Sequence, residues 1–138
     1  MEYQQMWEGT EELKQLQMQY KREIGEAAPS DDGIDRLFQA IKDGRILFFG
    51  CFDNGKLVAC CSVCRTFSTF DYLPGGVFED FYIVPDHRHR GIARKLVQFA
   101  YEESGISSLT VGCADCDVEM YKAVGFSVRL GTMLAKDE

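Results

Sequence analysis

The sequence predicts an α+β fold, a mixed sheet built in the order β-α-α-β-β-β-α-β-α-β. Three observations predict it. Two amphipathic helical stretches come before any long strand-like run. Arg45 to Phe52 and Lys56 to Phe67 then flank Asp53-Asn54-Gly55, and Asn-Gly between two apolar runs signals a tight hairpin. Last, Val77 to Val84 reads as a strand that passes through a turn into a helix and a further strand, a β-α-β crossover.

Taken in order, Glu2 to Met6 reads as a short edge strand. Thr10 caps a helix whose first turn holds Glu11 and Glu12 and whose apolar stripe is Leu13, Leu16, Tyr20 and Ile24, ending near Gly25. Gly25 to Pro29 is a connector. Ser30, Asp31 or Asp32 caps a second helix carrying Ile34, Leu37, Phe38 and Ile41, closed by Gly44. After the hairpin, Thr69 to Gly76 reads as a loop, with Pro74-Gly75-Gly76 leading into the strand Val77 to Val84, which Pro85 stops. Ile92, Leu96, Phe99 and Ala100 form one helix face. Ser107 to Cys113 reads as a buried strand, Asp115 to Val124 as a short helix with Gly125 as its C-cap, and Phe126 to Ala135 as a last strand. No repeat, linker or low-complexity stretch interrupts residues 1–138, which read as a single domain able to bury roughly two-thirds of its unfolded surface.

A formal net charge of −7 argues against nucleic acid as a partner and is compatible with a cationic substrate. No apolar run approaches the roughly 18 residues of a membrane span, and the N-terminus lacks the basic start and apolar core of a signal peptide. The expectation is a cytoplasmic protein with no membrane partner. Its six cysteines then read as reduced thiols. Cys61-x-x-Cys64 and Cys113-x-x-Cys116 supply the ligand count of a structural zinc site. The first pair, however, lies in a strand-like run where residues three apart face opposite sides. Cys60, Cys61 and Cys64 therefore read as small core residues, and no metal is expected. Ser62, Ser68 and Ser107 lack the context of a nucleophile elbow.

The charge on the third helix is reversed. A helix start carries partial positive charge and favours acids, yet Arg88, Arg90, Arg94 and Lys95 crowd it, while Glu102 and Glu103 stand at its end. A bound polyanion would resolve that arrangement. Free N–H groups at a helix start point at phosphate, and Gly91 lets a ligand approach closely. His87 and His89 flank Arg88 and read as phosphate contacts or as solvent-exposed residues.

The run Arg88-His89-Arg90-Gly91-Ile92-Ala93, following a strand that ends Ile83-Val84-Pro85, resembles motif A of the GCN5-related N-acetyltransferases (GNAT). The strand Phe78 to Asp86 resembles that of the small amine acetyltransferases, and Met120 to Phe126 resembles motif B. The chain departs from the pattern at His89, where the family usually has a small residue, at Ala93 in place of the commoner glycine, and at Cys113-Ala114-Asp115, where an asparagine is often found. The family often adds one more C-terminal strand, which this chain lacks; the sheet edge so left would suit a homodimer.

The resemblance implies an acetyl-CoA-dependent N-acetyltransferase that moves an acetyl group by direct transfer to a primary amine, whether a small amine or an amino-terminal acceptor. Acetyl-CoA as co-substrate would be held by Tyr82, Ile83 and Val84 along the strand and by Arg88, His89, Arg90, Gly91, Ile92, Ala93 and Arg94 in the turn. Ile83 would offer its amide to the thioester carbonyl. Glu79 would act as base or amine anchor, and Tyr121 would protonate the departing sulfur. Strand alternation puts Glu79 and Asp80 on opposite faces, so only one of them can face the cleft. The competing reading is a non-catalytic acyl-CoA-binding or regulatory module; a zinc or thiol-redox protein ranks third.

Overall fold

β1 (Glu2–Met6), β2 (Ile46–Asp53), β3 (Lys56–Ser68), β4 (Leu73–Ile83) and β5 (Leu109–Val111) form one sheet in that order, in a computed structural model describing all 138 residues. Neighbours are antiparallel from β1 to β4, and β5 runs parallel to β4. α1 (Glu11–Glu23) and α2 (Asp31–Lys42) pack on one face, and α3 (Ile92–Glu103) packs on the other. α4 (Val118–Ala123) follows β5 through a 3-10 turn at Asp115–Asp117. No helix is long and apolar enough to cross a membrane.

This two-faced burial explains the apolar runs of β2 and β3. A strand covered on one side alternates; one covered on both does not. Phe48, Leu57, Cys60 and Tyr82 join Leu13, Leu16 and Ile41 under α1 and α2. Phe49, Cys61, Val63 and Phe78 join Ile92, Leu96 and Ala100 under α3. Cys60 and Cys61 are thus core residues on opposite faces, as expected of small hydrophobes.

Local chemistry sets the element ends. Thr10 Oγ1 accepts from Leu13 N–H at 3.1 Å, and Ser30 Oγ accepts from Gly33 N–H at 3.0 Å, so Ser30 caps α2 and not Asp31 or Asp32. Asn54 and Gly55 both take positive φ, 50° and 80°, as the tight hairpin between β2 and β3 demands.

Four expectations change. The α1 stripe ends at Tyr20, because Ile24 caps the helix 46% exposed. β4 begins at Leu73 and absorbs Pro74-Gly75-Gly76, leaving Thr69 to Tyr72 as the loop. Gly76 is there for space: a Cβ would lie 2.4 Å from Val63 Cγ1 and 3.0 Å from Ile106 Cδ1. β5 shortens to Leu109–Val111 and is half-buried. Phe126 to Ala135 forms no strand; Gly131 takes φ 132°, and Val128, Leu130, Met133 and Leu134 are exposed, with no partner strand to pair with them.

A bulge in β4 changes the face reading as well. Cys60 stands opposite Tyr82 but Ser62 stands opposite Glu79, so β4 carries one extra residue there, with Asp80 at φ 54°. Phe78 and Phe81, three apart, consequently both pack on the α3 side, with ring centroids 5.3 Å apart. Glu79, opposite Ser62, and Asp80, which accepts from Ser62 Oγ at 2.7 Å, share the other face. The expectation that only one of these carboxylates can face the cleft fails, because alternation stops at a bulge.

Candidate active site

β4 and β5 part company early. Their pairing covers only Gly76 with Leu109, Val77 with Thr110 and Phe78 with Val111. From Glu79 to Ile83, β4 runs on without a strand on that side. Val84 N–H donates to Val58 O at 2.9 Å, toward β3. Alternation of backbone direction therefore turns the N–H and C=O of Ile83 away from β3, into the gap. Tyr82, by contrast, points its backbone at β3, and its ring is only 6% exposed, against Tyr20 of α1.

Past Ile83 the chain makes a 3-10 turn, Pro85–His87, and enters α3 through His89 at φ 62° and Gly91 at φ 81°. The N–H groups of His89, Arg90, Gly91, Ile92, Ala93 and Arg94 have no hydrogen-bond partner within the chain, and no side chain caps α3. Six amides without a partner, in the turn and first residues of a helix, can receive an anion. His89, Arg90 and Gly91 are exposed, and Ile92 anchors the turn by burying its side chain, 3% exposed, in the α3 core.

The arginines divide their labour. Arg94 donates to Ala123 O at 2.7 Å, tying α3 to the end of α4. Arg88 faces inward: its Nε donates to Ile83 O at 2.8 Å and its Nη2 to both Glu23 oxygens, each at 2.8 Å. Its guanidinium lies 5.5 Å from the Tyr82 ring centroid. Arg90 makes no ion pair. The His87 side chain is only 17% exposed, against the expectation of solvent exposure, and its Nε2–H donates to Asp53 Oδ2 at 2.9 Å. That hydrogen bond holds the Asp53 carboxyl below the usual carboxylate range and pins the turn to the β2–β3 hairpin.

Tyr121 stands beside the unpaired edge. Its ring packs against Phe81, centroids 6.4 Å apart, and edge-on to Phe126 at 5.9 Å. Burial, with smaller contributions from Tyr20, Asp117 and Cys113, pushes its phenol up to about 12. A hollow of about 760 Å³ opens next to it between β5, α4 and the segment after Gly125.

Below this, on the α1 side, lie the two carboxylates. Asp80 is half-buried and fixed by Ser62, which is wholly buried; Glu79 is exposed. Burial and then the Asp80 charge push the Tyr20 phenol up. Burial followed by Glu79 does the same to the Cys64 thiol. Ser62, Tyr20 and Glu23 escaped the sequence reading. A serine inside an apolar strand run does not announce a carboxylate partner on the next strand, and nothing local marks Glu23 as the partner of an arginine 65 positions away.

Known proteins share this fold. Residues 44–128 match the model of the acetyltransferase (GNAT) domain family. Among solved structures, a GCN5-related N-acetyltransferase from Ralstonia eutropha superposes with a TM-score of 0.78 at 21% identity, over 99% of this chain and 97% of its own. Glucosamine-6-phosphate N-acetyltransferase from Arabidopsis thaliana gives 0.72 at 16% identity over the whole of both chains. A predicted acetyltransferase from Clostridium acetobutylicum, solved with acetyl-CoA, gives 0.70 at 16%, over 98% of this chain and 95% of its own. No curated protein sequence matches the chain. With the family match spanning well over half its length, and the parted strands, unbonded amides and neighbouring tyrosine in place, the chain belongs to the GNAT family of acetyltransferases.

Proposed function

We propose that the protein transfers the acetyl group of acetyl-CoA directly to a primary amine. One observation carries the reading: beyond Phe78 the β4 edge has no strand partner, the Ile83 N–H faces that gap, the unbonded amides of His89 to Arg94 follow the turn after it, and the Tyr121 ring packs on Phe81 of the same strand. Those amides suit a pyrophosphate and the edge suits an extended amide chain such as pantetheine. The Clostridium acetobutylicum neighbour, solved with acetyl-CoA, supports the same ligand here.

In this reading Ile83 N–H donates to the thioester oxygen and stabilises the oxyanion of the tetrahedral intermediate. Asp80, held by Ser62, anchors the incoming ammonium, and exposed Glu79 carries its proton to solvent. The neutral nitrogen attacks the carbonyl carbon; the intermediate collapses, the C–S bond breaks, Tyr121 gives its proton to the sulfur, and the nitrogen passes its surplus proton through water back to the phenolate. A phenol near 12 is a weak acid beside a thiol with an ordinary value of about 8.5. The mismatch narrows in place, because desolvation raises the proton affinity of a thiolate as well, as it does for buried Cys61.

The test is thermal unfolding with and without acetyl-CoA, followed by a panel of amines assayed for free CoA thiol. Acetyl-CoA at about a hundredfold over its Kd should add roughly 2.7 kcal/mol of stability. Absence of stabilisation together with absence of thiol release from every amine refutes the proposal. Stabilisation without release favours a non-catalytic acyl-CoA-binding module.

A further inference from the structure

We infer that Arg88 is a positioning residue that locks the Ile83 amide and the end of α1 together, and that it does not bind the pyrophosphate. The inference rests on the acetyl-CoA reading above and deepens it. Three observations converge. Arg88 Nε is committed to Ile83 O, the carbonyl on the same backbone edge as the amide offered to the thioester. Arg88 Nη2 is committed to both oxygens of Glu23, the last residue of α1, where the connector to α2 begins. The guanidinium also stacks on Tyr82, whose ring is buried under α1 against Tyr20.

Each contact uses what is particular to a guanidinium: a planar fork that donates in two directions at once and stacks on an aromatic face. A phosphate can be held by a guanidinium fork or by the point charge of a lysine, but only a guanidinium can serve Ile83 O, Glu23 and the Tyr82 ring together. The charge facing an anion falls to Arg90, which is exposed and unpaired, beside the six free amides. Arg88 thereby joins the thioester edge of β4 to the 24–30 connector. An amine seated on the α1 side and an acetyl group seated against Ile83 then share one rigid reference.

The experiment uses nitrogen-labelled protein titrated with acetyl-CoA, with amide shifts followed by NMR and Kd by calorimetry, in wild type, Arg88→Lys, Arg88→Met and Glu23→Gln. The expected result is a Kd within about threefold of wild type in all variants, as for a residue that makes no ground-state contact with the ligand. The Gly91 and Ala93 amides still respond, while the Ile83 response falls in both Arg88 variants and, to a lesser degree, in Glu23→Gln. Glu23 is half-exposed, so its variant keeps the test alive should an Arg88 variant fold poorly. A loss of affinity of about tenfold or more in Arg88→Met, whether or not Lys restores it, overturns the inference, since a phosphate ligand can act through its charge or through its fork. So does an unchanged Ile83 response in Glu23→Gln. Failure of the wild type itself to bind acetyl-CoA removes the underlying reading and this inference with it, a result distinct from either.

Discussion

At Asp80 the backbone takes φ 54° and the strand gains a residue, which turns a second carboxylate toward the side already occupied by Glu79. Left-handed backbone at a non-glycine residue costs on the order of 1 kcal/mol, less where a short polar side chain bonds locally. Asp80 has such a bond, from a serine that is itself wholly buried. A fixed, half-buried carboxylate is the better amine anchor, whereas an exposed one exchanges protons faster with water. Asp80→Asn should therefore lower kcat/KM by about a hundredfold or more, the usual worth of a general base or charged anchor, and Glu79→Gln should cost less. Steady-state kinetics on both variants check the order; equal losses, or a larger one at Glu79, reject it. Tyr121 makes a separate case. With its phenol near 12 it stays protonated throughout the neutral range, so a falling alkaline limb of kcat below about pH 10 cannot come from it. Tyr121→Phe should reduce kcat on the order of a hundredfold and leave acetyl-CoA affinity unchanged, as calorimetry beside a pH–rate profile would reveal.

β4 is the element in which these residues meet, and its two ends do different work. Its first half is tied on both sides, by β3 and by β5; its second half is tied only by β3. The tied half depends on Gly76, where an added methyl would press on Val63 and Ile106, both buried. Gly76→Ala should cost about 1–3 kcal/mol, the usual range for overpacking a core, measurable as a lower urea midpoint with unchanged slope; a loss below a few tenths would mean that the β4–β5 seam can give way. The helix cap at Thr10, a second cap within Ser30 to Asp32, the Asn54-Gly55 turn and the burial of Ile92 were all legible in the sequence, whereas the choice of Ser30 within that triplet came only with the structure. The bulge was not. Nothing within Phe78 to Tyr82 announces it; it exists as a mismatch of register between two strands, and only the pairing of Cys60 with Tyr82 and Ser62 with Glu79 exposes it. The same holds for Pro74-Gly75-Gly76, read as loop by composition and held as strand by β3 and by the crowding at Gly76. The reversed charge at the start of α3 was legible, but not the division of labour among its arginines, since Glu23 lies far off in sequence.

Across the whole molecule, the reversed charge at the start of α3 is only partly balanced from within. Glu23 takes Arg88, Ala123 O takes Arg94, and the amides with Arg90 remain for an anion, on a chain of net charge −7. Burial acts on the acids of the same chain in the opposite sense. It lifts the phenols of Tyr3 and Tyr121 up to about 12, raises those of Tyr20 and Tyr82, and raises the thiols of Cys51, Cys60, Cys61 and Cys64. Every one of these groups is neutral when protonated, and the folded state holds its proton more tightly than the unfolded chain. Stability from this source is complete below the ordinary thiol value of about 8.5 and declines once the unfolded chain begins to lose protons that the folded one keeps. Urea midpoints under reducing conditions should therefore fall steadily from about pH 9 to pH 11, first through the thiols and then, above about pH 10, through the phenols. Removing one phenol isolates its share: Tyr121→Phe should flatten the segment above about pH 10 and leave the slope between about pH 9 and 10 as it was. A midpoint independent of pH over that whole interval would mean that the buried thiols and phenols keep enough water around them to ionise in place, and the dry site invoked for proton transfer to sulfur would lose its physical basis.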